Sequence, residues 1–208
     1  MKNTLFNQSN SVVFKPDDSR QGAGIKIIYE ANFNVEKLKL LGNGLFQSYI
    51  NQHDFFSEFT NKSVATLRIT TTFYNDKVEI RSSYLRLGIK NDTHIQSSSA
   101  IKVIVDPLTG QLNDIGHTAT WRRIESHPDN KIFFSGKHIP SYQKCVDLVK
   151  NLHRKVPYVR SIGWDVIIDN LGEVKVMEWN GAHNGIKYSE SIHGPCFIGL
   201  GWENLWKE

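Results

Sequence analysis

Apolar residues in this chain recur mostly at every second position or in short β-branched runs, the pattern of strands rather than of long helices. Ser11-Val12-Val13-Phe14-Lys15-Pro16 reads as a strand stopped by a proline, and Ile25-Lys26-Ile27-Ile28-Tyr29-Glu30 as a second one. The polar, glycine-containing segment from Asp17 to Gly24 makes them a strand–loop–strand hairpin. Val35 to Leu41 reads as a short helix stopped at Gly42-Asn43-Gly44, Leu45 to Ile50 as a strand, and Gln52 to Phe59 as a helix. The middle is strongly β. Ser63 to Tyr74 and Val78 to Leu87 flank an Asn75-Asp76-Lys77 turn, and Ala100 to Val105 and Gly110 to Ile115 flank a turn over Asp106 to Gly110. Ile139 to His153 carries Cys145, Val146, Leu148, Val149 and Leu152 at helical spacing and opens on Pro140 and Ser141, so it reads as an amphipathic helix with His153 at the surface. Ile162 to Ile168 and Val174 to Trp179 close the pattern as a hairpin about Asp169-Asn170-Leu171-Gly172. This order predicts an α+β protein with antiparallel sheets: a flexible tail over residues 1–10, a small lobe over 11–50 and a larger lobe over 51–208.

Composition narrows the class without naming a function. The chain has 208 residues, 39% hydrophobic and 22% charged, as expected of a soluble globular protein. No apolar run approaches the ~18 residues of a membrane span, and the first residues lack the apolar core of a signal peptide. Two cysteines, Cys145 and Cys196, make no disulfide framework and read as ordinary buried thiols, so a reducing cytoplasm is the expected location. A net charge of +4, with no dense Lys/Arg tract and no nucleic-acid motif, argues against a nucleic-acid partner and suits a site for phosphates and an acidic substrate.

The last hairpin carries the most chemistry. Asp165 sits within an apolar strand, and Glu178 and Asn180, two apart, fall on one side of its partner. A carboxylate directed into an apolar strand needs a pairing cation. Three oxygen-bearing side chains suit Mg²⁺, and a salt bridge to Arg or Lys suits the two carboxylates equally well. Lys15 at a strand end, followed by Ser19-Arg20-Gln21-Gly22-Ala23-Gly24, is a combination that can hold phosphates by point charge and backbone amides, though the loop lacks the Walker pattern. Arg68 and Arg86 each lie among apolar strand residues and call for anionic partners, either structural carboxylates or bound phosphate and carboxylate groups. Trp121-Arg122-Arg123 and Gly181-Ala182-His183-Asn184-Gly185 are two further segments able to face a substrate.

In this order the motifs resemble an ATP-grasp protein, and more narrowly the sugar-transfer-associated ATP-grasp group found with polysaccharide synthesis. Val13-Phe14-Lys15-Pro16, Ala65-Thr66-Leu67-Arg68-Ile69-Thr70, Ile162-Gly163-Trp164-Asp165 and Met177-Glu178-Trp179-Asn180 carry the resemblance, which spans about residues 11–200. It implies two α+β lobes gripping ATP. Lys15 matches the lysine on the nucleotide phosphates, and the loop with Gln21, Gly22 and Gly24 matches the lid over them. Gln47, Tyr49 and Ile50 match the segment whose backbone meets the adenine edge, and Asp54 the ribose-binding acid. Arg68 and Arg86 match the paired arginines near the phosphate and acyl phosphate. Asp165, Glu178 and Asn180 match the Mg²⁺ ligands, with Mn²⁺ as a substitute metal. The usual N-terminal domain of such enzymes and its earlier lysine have no counterpart ahead of residue 11. The resemblance is therefore compatible with a fragment, a minimal version or half of an assembly, completed by a partner domain or a second copy.

The implied activity is an ADP-forming ligase that joins a small-molecule or glycan-precursor carboxylate to an amine or hydroxyl acceptor through an acyl phosphate. The alternatives are a phosphotransferase on the same fold, a nucleotide-binding module without turnover, and a β-rich carbohydrate-binding protein using Trp164 and Trp179 as platforms.

Overall fold

Val12 and Phe14 are buried while Val13 and Lys15 turn to the other side, and this period-two pattern makes Ser11–Pro16 (β1) the central strand of a three-stranded antiparallel sheet. Its neighbours are Lys26–Tyr29 (β2) and Gly44–Ser48 (β3), in the order β2-β1-β3. The Phe14 and Phe46 rings pack at 5.2 Å on the buried side. A side chain at Gly44 would strike that Phe14 ring, so the close approach requires glycine. Lys2–Leu5 (α1) forms a single helical turn, with Phe6 edge-on to Phe33, and Val35–Lys39 (α2) is capped by Asn34, whose side chain accepts from Lys37 N. The computed structural model describes residues 2–7, 9–18, 24–60, 63–89, 92, 95 and 98–207. It separates into two compact units, Met1–Asn51 and Gln52–Glu208.

The second unit is built on a seven-stranded antiparallel sheet of order β10-β9-β4-β5-β6-β7-β8. The strands are Thr66–Tyr74 (β4), Lys77–Leu87 (β5), Ile101–Val105 (β6), Leu112–His117 (β7), Arg123–Ile124 (β8), Ser161–Ile168 (β9) and Val174–Asn180 (β10). Asn75 and Asp76 both take positive φ, the mirror-image turn that matches strand twist, and so join β4 to β5. The β6–β7 turn is held by Asp106, whose carboxylate accepts from Leu108 N and Thr109 N. β7 starts at Leu112 rather than at Gly110, because Gly110 has φ +76° within the turn and Gln111 pairs with His138 instead. Asp54–Ser57 (α3) is shorter than the helix expected over Gln52 to Phe59. Gln52 is tied to the sheet: its side chain accepts from Ala65 N at 2.7 Å, donates to Thr60, and its backbone bridges Asp169.

Cross-strand partners share a face, so the register sorts every side chain. One face carries Leu67, Ile69, Leu85, Val103, Ile162, Trp164 and Val166, and buries them against Tyr142–Arg154 (α4) and the Phe59 and Phe134 rings. α4 presents Tyr142, Cys145, Val146, Val149 and His153 to this core. Burial pushes the Cys145 thiol up to about 12, as expected of an inert core cysteine. The surface placement expected for His153 is wrong: it is fully buried, four residues after Val149 on the same helical face. Its Nε2 lies 2.7 Å from the Val159 carbonyl, which can only accept, so Nε2 carries the proton and Nδ1 accepts from Thr71 Oγ1 at 2.6 Å. Thr71 in turn accepts from Trp164 Nε1 at 2.8 Å, which completes a satisfied polar chain through the core.

Two consequences are testable. Thr71→Val leaves the Trp164 donor and the His153 acceptor unpaired and should cost about 1–3 kcal/mol in urea unfolding. Burial also lowers the pKa values of His127 and His153. Below about pH 6.5, where an unfolded histidine protonates, the unfolded chain takes up protons that the folded chain does not. The unfolding midpoint should therefore be lower at about pH 5 than at about pH 7.5, and His153→Gln should shrink the difference. Equal midpoints would contradict the buried neutral histidines.

Candidate functional site

The opposite face of the large sheet is charged. Arg68 on β4 stands directly opposite Asp165 on β9, and Asp165 directly opposite Glu178 on β10. Arg68 donates Nε to Asp165 Oδ1 at 2.5 Å and Nη2 to Oδ2 at 2.8 Å, a bidentate fork, while Arg86 Nη1 approaches Oδ2 at 3.5 Å. Asp165 is 3% exposed and Arg68 is 7% exposed. Burial opposes the charge on Asp165, but the Arg68 hydrogen bonds and the positive charges of Arg68 and Arg86 hold its carboxyl below the usual carboxylate range. Burial likewise opposes the Arg68 charge, and the Asp165 bond more than offsets it, raising that pKa. Of the two readings open from spacing alone, the salt bridge at Asp165 is therefore formed.

This does not remove the case for a cation. Glu178 hydrogen-bonds the Asp165 carboxyl from the directly opposite position, which gathers two carboxyl groups beside the Arg68 and Arg86 guanidiniums. Asn180, two residues on, shares the Glu178 side, and its amide nitrogen lies 3.5 Å from the Gly163 carbonyl. A β-bulge between Val176 and Glu178 sets this register, taking up Met177 as the extra residue. Two carboxylates and one amide oxygen on one face are hard donors of the kind Mg²⁺ takes. The donor set fits the ion in kind. Among the described residues no three His, Cys, Asp or Glu side chains gather as a metal site, here or elsewhere.

The segment after β10 packs onto this centre. The Arg68 guanidinium lies 3.4 Å from the His183 carbonyl, and Thr70 donates to the Asn184 carbonyl at 3.1 Å. Gly185, at φ +84°, sits so close that a Cβ would fall 2.5 Å from the Tyr84 hydroxyl and 2.8 Å from Arg68 Nη1. Helix Ile186–His193 (α5) follows, and its Tyr188 is 3% exposed. Tyr188 donates to the Lys102 carbonyl at 2.7 Å, so its oxygen accepts from His117 Nδ1 at 3.0 Å. The Lys102 ammonium lies over the Tyr188 ring, and burial, with repulsion from Arg86 and Arg68, lowers its pKa. α5, Tyr188 and Lys102 escaped the sequence reading. The available signals were a lysine inside the apolar strand Ile101–Val105 and helix boundaries at Gly185 and Gly194.

The remaining candidates belong to other elements. Lys15 and Gln47 share one face of the small sheet, opposite Leu45 and Val13 respectively. Tyr49 and Ile50 are half-buried just after β3, and burial, then Tyr29, raises the Tyr49 pKa. Gln21 and Gly22 fall outside the described residues, and Gly24 takes φ +76° beside Pro16. Asp54 is exposed in the first turn of α3. Among the described residues no helix is long and apolar enough to cross a membrane.

The model of the sugar-transfer-associated ATP-grasp family matches residues 37–195, which include every strand of the large sheet. The chain belongs to this family. No curated protein matches it. Among solved structures, the chain is similar to the biotin carboxylase domain of the Hydrogenobacter thermophilus 2-oxoglutarate carboxylase, crystallised as a dimer with MgADP, ADP and bicarbonate. The likeness has a TM-score of 0.51 at 14% identity and covers 88% of this chain but 34% of that one. At that identity it bears on the fold alone, the ATP-grasp fold.

Removing one member of the buried pair strands the other's charge. Asp165→Ala and Arg68→Ala should each cost about 3–5 kcal/mol in chemical unfolding, and the double variant should cost clearly less than their sum. Additive losses would show that the fork is not the unit described.

Proposed function

We propose that this member of the ATP-grasp family is an ATP- and Mg²⁺-dependent, ADP-forming ligase that activates a carboxylate as an acyl phosphate and passes it to an amine. Its place would be in the synthesis of a cell-surface polysaccharide or glycoconjugate. The observation that carries the reading is the in-register row Arg68–Asp165–Glu178, with Asn180 beside it, on the charged face of the large sheet.

Asp165, Glu178 and Asn180 would hold Mg²⁺, which when bound neutralises phosphate oxygens and aligns them for transfer. The residues of the chain supply position and charge. Arg68 and Arg86 fix the Asp165 carboxylate and keep it ionised. Glu178, at the surface, supplies the carboxylate that can adjust. Lys15 is assigned to the phosphates, the backbone of Gln47, Tyr49 and Ile50 to the adenine edge, Asp54 to the ribose, and Gln21, Gly22 and Gly24 to the lid. In the first step a substrate carboxylate oxygen bonds to the γ-phosphorus and ADP leaves. In the second, the amine nitrogen bonds to the acyl carbon, the carbon–oxygen bond to phosphate breaks, inorganic phosphate departs and the nitrogen gives its proton to solvent. Arg86 and Lys102 stand on the same face to offset charge on the acyl phosphate. No side-chain nucleophile is required.

Glu178→Ala removes a surface carboxylate and leaves the Arg68–Asp165 fork intact, so the fold should be retained. Mg²⁺-dependent binding of a non-hydrolysable ATP analogue should fall at least about tenfold by calorimetry, the scale of losing a metal ligand. Unchanged affinity would count against the metal assignment. Release of ADP with an amide product supports the ligase, whereas a stable phosphorylated product would place the chain among phosphotransferases.

A further inference from the structure

The charged face continues beyond Lys102 to a part of the molecule that the ligase reading leaves unused. Arg86 pairs with Lys102, Lys102 with His117, and His117 with Arg123, so these four side chains form one row across β5 to β8. At its outer end the chain turns through Thr118 to Arg122, and Trp121 in that turn adopts φ +66°, a left-handed conformation that bulky residues rarely take. The turn is closed by Thr118 N to the Arg122 carbonyl at 3.0 Å, Trp121 N to the Thr118 carbonyl at 2.9 Å and Arg122 N to Thr118 Oγ1 at 3.1 Å. Its effect is to hold the indole against Tyr188, with ring centroids 5.8 Å apart, and His117, at 6.1 Å, while leaving it 52% exposed. Trp121 is thus a supported aromatic surface open to solvent.

The ends of the same turn, Thr118 and Arg122, line an open cavity of about 590 Å³, within the range of ligand pockets. Arg122, Arg123 and Lys131 line it against one carboxylate, Glu125, with the Thr118 and Ser126 hydroxyls between them. Three cations call for an anion. Glu125 and the hydroxyls add acceptors that a bare phosphate or polyphosphate would not use, and that the hydroxyl groups of a sugar would. Phe133, 61% exposed, lines the same cavity and offers the negative π face of its ring to the C–H face of a sugar.

We propose that this cavity binds an anionic pyranose, a sugar ring carrying a carboxylate or a phosphate. Phe133 is the stacking platform, Arg122, Arg123 and Lys131 hold the anion, and Glu125 accepts from the ring hydroxyls. Its role as the saccharide seat of the reaction rests on the ligase reading. The row Arg123–His117–Lys102–Arg86 leads from the cavity to the Asp165 centre.

The test is calorimetric titration of the full chain with glucuronic acid, glucose 1-phosphate, neutral glucose and adenosine monophosphate, with no Mg²⁺ or ATP present. One or both anionic sugars should bind with dissociation constants on the order of millimolar or tighter, and glucose at least about tenfold more weakly. The tighter of the two anionic sugars identifies the anion. Phe133→Ala, at an exposed ring, and Arg123→Gln should each weaken binding by about tenfold or more with the melting transition retained. Absence of binding by both anionic sugars, equal binding of glucose, tighter binding of adenosine monophosphate, or unchanged affinity in Arg123→Gln would overturn the proposal. Because ATP and metal are absent, those results leave the ligase reading standing. Failure of the wild-type chain to bind Mg–ATP in a separate titration would overturn that reading and not this site.

Discussion

The bidentate pair between Arg68 and Asp165 is the constraint on which the working face depends. Both side chains are nearly excluded from water, and neither charge is tolerable there without the other. Their strands are neighbours in the sheet with the two residues in direct register, so the fork is set by strand pairing rather than by side-chain search. Two glycines follow from it. A Cβ at Gly163 would collide with the Asn184 backbone, and one at Gly185 would collide with Arg68 itself, so the segment that covers the pair can approach only where side chains are missing.

The same sheet serves two purposes through its alternation. The back is a dry core against α4, with one polar thread, Trp164–Thr71–His153–Val159, whose members are mutually satisfied. The front is a band of cations with a carboxylate pair at one end and an aromatic-lined cavity at the other. α5 stands on that band through Tyr188, which touches Tyr84, His117, Trp121 and Lys102. A rigid back and a pinned helix fix where charge is presented, which is what positioning chemistry requires.

Much of this was legible in the sequence, for reasons that differ by residue. Period-two alternation gave the strands, and Asn75-Asp76 and Asp169 to Gly172 gave the turns, because those signals are local. Asp165, Glu178, Arg68 and Arg86 stood out as charges among apolar strand residues, but that they meet one another depends on pairing between strands about a hundred positions apart. His153 is buried against the surface placement expected for it, because its spacing from Cys145 and Val149 puts it on the apolar face of α4. Gln52 looked helical because propensity says nothing of a side chain held by Ala65 and Thr60. α5 was invisible because its sequence, IKYSESIH, has little apolar periodicity, and it is held instead by Tyr188.

The central claim is that a carboxylate fixed by two arginines joins Glu178 and Asn180 in presenting a metal to a nucleotide. The most direct measurement is a crystal structure of the full chain with Mg²⁺ and a non-hydrolysable ATP analogue. The account predicts Mg²⁺ about 2.0–2.1 Å from oxygens of Asp165 and Glu178, with the Arg68 fork still in place. Nucleotide and metal bound away from Asp165 and Glu178, or Asp165 engaged by Arg68 and Arg86 alone, would contradict it.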